Sequence, residues 1–127
     1  MKVVLVEPGK ASVITEIEHS LEAMQKAVGG LIEPFYAYED KGVVIICNEE
    51  GKLKNPVVFN RTMFSNPGDT ESDIVDIIAG TFFVCKIGEE NFEGFVDEKE
   101  AEYWQKIFEP VHEFSFNEDD AIVIAVK

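Results

Sequence analysis

The chain is poor in the residues that build reactive or metal-bound sites: its 127 residues include two cysteines, two histidines and one arginine. Cys47 and Cys85 lie in the apolar runs VVIICN and TFFVCK, with no C-x-x-C spacing and no neighbouring histidine. That pattern excludes a zinc-ribbon or thioredoxin-like motif and reads as two buried free thiols. His19 and His112 sit beside Glu18 and Glu113 and read as ordinary surface or strand histidines. A serine-hydrolase elbow, G-x-S-x-G, is missing, and Ser20 reads as a helix cap instead. Basic residues are also scarce, 11 Lys and Arg against 25 Asp and Glu, for a net charge of -14. They stand singly along the chain, so there is no stripe to neutralise phosphates, and direct binding to nucleic acid or to an anionic membrane is excluded. No apolar run approaches the roughly 20 residues of a membrane span. The opening run VVLV is too short for the core of a signal peptide, so the expectation is a cytoplasmic protein.

What is present is a core. Hydrophobic residues make up 46% of the sequence, with ten Phe, three Tyr and one Trp, enough for one domain spanning residues 1–127 without disulfides or metal. Lys2–Val6 and Ala11–Ile17, separated by Pro8-Gly9, predict an opening hairpin. Ser20 as N-cap, Glu22 in the first turn, and Leu21, Met24 and Val28 on one face predict a helix ended by Gly29-Gly30. A phosphate loop needs its glycines before a helix, where free N–H groups face the anion. Here they follow one, so they are a stop signal. LIEPFYAY and VVIIC predict strands, with Asn48–Lys52 as a hairpin turn leading into Leu53. Ser65–Thr70 is rich in turn residues and reads as a mobile loop, and Ile74–Ile87 reads as sheet core bent at Gly80. Asp97 and Glu100 have the spacing of a capping box for a second helix closed by Pro110, and VHEFSF and AIVIAV close the chain as two strands. The fold class expected is α+β, with a mixed or largely antiparallel sheet and two helices packed against it.

Two groups of residues are candidates for function. Arg61 follows Asn60 at the end of an apolar run, where a guanidinium clamps a carboxylate or phosphate, or pairs with a neighbouring Asp or Glu. Glu89, Glu90, Glu93, Asp97, Glu98, Glu100 and Glu102 form the densest acidic cluster, broken only by Lys99. Asp69, Glu71 and Asp73 alternate like calcium-loop ligands, but Ile74 stands where that loop requires glycine. No metal or cofactor is expected.

The segments VVLVEPGK, SLEAMQKAVGGLIE, CNEEGKL, Asn60-Arg61 and DIIAGTFFV resemble an uncharacterised family of bacterial and phage-associated proteins, domain of unknown function 3846. The resemblance covers about the first two thirds of the chain; from Glu89 onward the reading rests on the residues alone. It implies no catalytic residues, and its phage association implies a host-interaction role such as anti-defence. The expectation is a non-enzymatic protein-interaction module with an acidic contact face and a basic or DNA-binding protein partner. One alternative is a mimic that displays carboxylates where DNA phosphates would lie. A second is a small-ligand binder or enzyme built on Arg61 and a carboxylate. AIVIAV, as an edge strand, would support a homodimer.

Overall fold

Pro8-Gly9 turns the chain back after five extended residues, so Lys2–Val6 (β1) pairs antiparallel with Val13–Glu16 (β2) in the computed structural model, which describes residues 1–127. The helix α1, Leu21–Val28, starts where the Ser20 hydroxyl accepts the Ala23 N–H. It stops at Gly29, whose φ of 79° lies in the left-handed region that glycine enters without cost. Gly30 must also lack a side chain, because the Asn48 amide lies against it while donating to the Val28 carbonyl. The strands Ile32–Phe35 (β3) and Val43–Asn48 (β4) follow, then Phe59–Phe64 (β5), Ile74–Ala79 (β6), Phe82–Ile87 (β7) and Phe92–Glu93 (β8). Glu98–Phe108 is the helix α2, and His112–Phe116 (β9) and Ile122–Val126 (β10) end the chain.

The main sheet runs β2-β1-β7-β4-β3, with β8 continuing the β1 side of β7, and every pairing is antiparallel. Alternation along its central strands sorts the side chains into two layers. Val4, Val6, Val43, Ile45, Phe82 and Val84 face α2 and the β5–β6 hairpin, packing on Trp104, Phe108, Met63 and Ile78. Val3, Val44, Ile46, Phe83 and Cys85 face α1, through Met24 and Val28. Covered on both sides, β4 is apolar at every core position, which is why VVIIC shows no alternation. The α+β class with both helices packed on an antiparallel sheet is as expected, with the helices on opposite faces.

Four local expectations are corrected. Asn48–Lys52 does not turn a hairpin: β4 pairs with β3 and β7, the chain enters a single 3-10 turn at Gly51–Leu53, and Leu53 is 79% exposed. The strand read from LIEPFYAY ends at Phe35, and Tyr38 folds into the core with its hydroxyl donating to the Phe64 carbonyl. The turn at Ser65–Thr70 is tied down rather than free, since Ser72 Oγ bonds the Asn66 N–H and the Asp69 carbonyl. It joins the two strands of one hairpin, β5 and β6. Only half of the capping box forms: Asp97 accepts the Lys99 N–H, whereas the Glu100 carboxylate takes the Lys86 ammonium at 2.7 Å.

Trp104 is the largest fully buried side chain, in ring contact with Tyr38 at 5.4 Å and with Phe108. Trp104→Ala is expected to cost about 3–5 kcal/mol, read as a lower urea midpoint at an unchanged slope.

Candidate functional site

Arg61 lies in β5 and is 0% exposed. Its Nε donates to the Phe108 carbonyl at 3.1 Å, Nη1 to the Asn60 carbonyl at 3.1 Å and to Asn60 Oδ1 at 2.8 Å, and Nη2 to the Lys10 carbonyl at 2.5 Å. The Asn60 amide nitrogen donates in turn to the carbonyls of Val6 and Gly80, each at 2.9 Å. No carboxylate pairs with Arg61, so the expected Asp or Glu partner is replaced by protein carbonyls. Burial lowers its pKa to about 10. The guanidinium sits at the last turn of α2, where unpaired carbonyls and the helix dipole favour a cation. The pair Asn60-Arg61 thus spends its donors on the protein interior.

His112 neighbours this network. Its Nδ1 accepts the Thr62 N–H at 2.9 Å, a bond only the unprotonated nitrogen can make. Burial, and then the nearby Arg61 charge, push its pKa down to about 4. Burial likewise raises the Cys47 thiol to about 11 and the Cys85 thiol to about 12, which keeps both as unreactive thiols. Nowhere do three or more His, Cys, Asp or Glu side chains stand close enough to hold one metal ion.

The seven acidic residues are divided by the fold. Glu98 and Glu100 are paired with Lys2 and Lys86, and Asp97 is engaged at the start of α2. Glu89 and Glu90 project from the turn between β7 and β8, exposed and without an ion-pair partner.

That turn forms one wall of a groove of about 720 Å³ open to solvent. The N-terminal half of α1 forms the other wall, and Met24, Ile32, Tyr36, Ile87 and Phe92 line it between them. Leu21 on the α1 wall is 58% exposed, and Tyr36 and Ile87 are also exposed. His19 holds the two walls together, its Nε2–H donating to the Phe92 carbonyl at 2.6 Å. The groove combines an apolar lining with a carboxylate rim, a surface suited to apolar side chains flanked by cations. Sequence reading found Glu89 and Glu90 from composition but missed the lining, which comes from segments some 70 residues apart. Leu21, read from sequence as sharing the face of Met24 and Val28, is instead exposed at the first position of α1 and lines the groove, while Met24 and Val28 are buried.

Residues 1–109 match the model of the family described as Domain of unknown function (DUF3846). The match runs past Glu89 to include α2, further than the first two thirds of the chain, and leaves β9 and β10 outside. No curated protein and no solved structure matches the chain. No helix is long and apolar enough to cross a membrane.

Arg61→Met strands the Lys10, Phe108 and Asn60 acceptors and is expected to lower stability on the order of 3 kcal/mol, while Arg61→Lys recovers only part of it. Unchanged denaturation midpoints in both variants would instead free Arg61 for a ligand. His112 has a folded pKa below its unfolded value, so its contribution is complete above about pH 6.5 and declines as pH falls towards about 4. Chemical denaturation across that window should show the wild type losing its advantage over His112→Gln as the pH drops.

Proposed function

We propose that this chain, which belongs to a family with no assigned role, is a non-enzymatic protein-interaction module. Its contact surface is the groove between α1 and the β7–β8 turn, and its partner is a basic, amphipathic segment of another protein. The observation that carries this reading is the coincidence in one place of exposed Leu21, Tyr36 and Ile87 with the unpaired carboxylates of Glu89 and Glu90. Apolar anchors supply affinity, and the rim selects for lysine or arginine and speeds encounter. A net charge of -14 supports the same sign of partner.

The finer reading, a DNA mimic directed at a host nucleic-acid-binding protein, is supported by the charge and by the phage association that the resemblance implies. It would use Asp97 at the N-cap and Glu98 and Glu102 of α2 as phosphate substitutes. Lys99 stands among them, Lys106 lies one turn beyond Glu102, and Glu98 is already held by Lys2, so the groove is the stronger candidate.

Titration of isotope-labelled protein with a synthetic peptide alternating lysine and leucine separates the readings by NMR. Groove binding predicts amide shifts confined to residues 19–24, 32–36 and 87–92, with affinity falling at least about tenfold in a Glu89→Lys, Glu90→Lys double variant. Shifts centred on α2 and abolished by salt would favour the mimic, and no shift at millimolar peptide would end the groove reading.

A further inference from the structure

The edges of the main sheet carry the features that stop another strand from adding to them. β3 contains Pro34, whose nitrogen has no hydrogen to donate, and β2 is four residues long and ends on Glu16. β10 has neither protection: its sequence IVIAV holds no charge and no proline, and its register with β9 is unbroken. The Lys127 N–H bonds the Val111 carbonyl and the Asn117 N–H bonds the Ala121 carbonyl. In an antiparallel ladder this fixes the alternation, so Val123 and Ala125 face β9. Ile122, Ile124 and Val126 therefore point their N–H and C=O groups outward, where no strand lies.

We propose that β10 pairs with β10 of a second copy of this chain, antiparallel about a two-fold axis at Ile124, so that the two hairpins form one four-stranded sheet. The strand is complementary to itself in this register. Ile124 faces Ile124, and Ile122 faces Val126, with each pair exchanging both backbone hydrogen bonds. Ile122 and Val126, 38% and 41% exposed in the single chain, each gain an apolar cross-strand neighbour. The same register sets Lys127, whose ammonium is exposed and 3.5 Å from Glu113 of its own chain, opposite Ala121 and beside Asp119 and Asp120 of the other copy, so opposite charges meet at both ends of the junction. That charge match singles out a second copy over an unrelated strand. The contact uses neither the groove nor α1, so it stands whether or not the groove binds a peptide.

Sedimentation over a concentration series from about 1 µM to about 500 µM is expected to show a monomer–dimer equilibrium. Ile122→Pro removes an outward N–H and leaves the β9 ladder intact, and should raise the dissociation constant at least about tenfold. Copper-phenanthroline oxidation of Ile124→Cys should give a disulfide-linked dimer, since facing residues of a hydrogen-bonded pair have Cα atoms about 5.5 Å apart. Val123→Cys, which would face Ala125 of the other copy, should not cross-link, and Cys47 and Cys85 are buried and do not compete. Should Ile122→Pro fail to fold by circular dichroism, the two cysteine variants decide. A monomer at the highest concentration, a dimer indifferent to Ile122→Pro, or equal cross-linking at positions 123 and 124 would overturn the proposal.

Discussion

One buried guanidinium ties the layers of this protein together. Arg61 reaches the loop after β1 through Lys10, its own strand neighbour Asn60, and the end of α2 through Phe108. The Asn60 amide extends the tie to β1 at Val6 and to the β6–β7 junction at Gly80. These are the pieces that must meet for the β5–β6 hairpin and α2 to cover one sheet face. Apolar packing alone would tolerate sliding between such layers, whereas a planar fork with fixed donor directions does not. Burying the cation is costly in principle, and here carbonyl dipoles and the negative end of α2 offset the loss of water. His112 completes the arrangement by remaining neutral beside that charge, its lone pair committed to the Thr62 N–H.

The two sheet faces are covered unequally, and the groove is the result. On one side α2, the β5–β6 hairpin and Tyr38 together bury the apolar residues of the central strands β1, β7 and β4. On the other, α1 has eight residues, about 12 Å of helix, laid over six-residue strands of about 20 Å. The part of that face that α1 cannot reach is left to Ile32, Tyr36 and Ile87, and the β7–β8 turn rises beside it with its carboxylates. A longer helix would bury these side chains and close the hollow. The length of α1 is set locally, by the Ser20 cap at one end and the left-handed Gly29 at the other.

How much could be read from sequence follows from how far apart the interacting residues are. Caps are local, so both ends of α1 were legible, as was the helix stop near Pro110. The opening and closing hairpins were legible because their strands are adjacent in sequence. The hairpin read after β4 failed because the β4 partners lie before it, at β3, and some forty residues after it, at β7. Arg61 stood out as the sole arginine, but its acceptors are backbone carbonyls, which every residue has and which no pattern marks. Acid clustering showed where negative charge is dense without showing that Lys2, from the far end of the chain, and Lys86, from the strand just before the cluster, would neutralise two of its members.

Net charge and strand chemistry act on self-association with opposite signs and over different ranges. Two bodies of charge -14 repel, but at physiological salt that repulsion is screened beyond about 8 Å. The edge of β10 carries no charged side chain of its own from Ala121 to Val126, and the proposed register sets Lys127 near the acidic turn residues of the other copy. Backbone pairing acts at contact distance and owes nothing to net charge. An acidic surface therefore does not exclude strand-to-strand association; it confines it to a neutral strip. For the proposed groove contact the same separation of ranges would let long-range charge draw cationic segments to the carboxylate rim while short-range apolar contacts decide which of them stay.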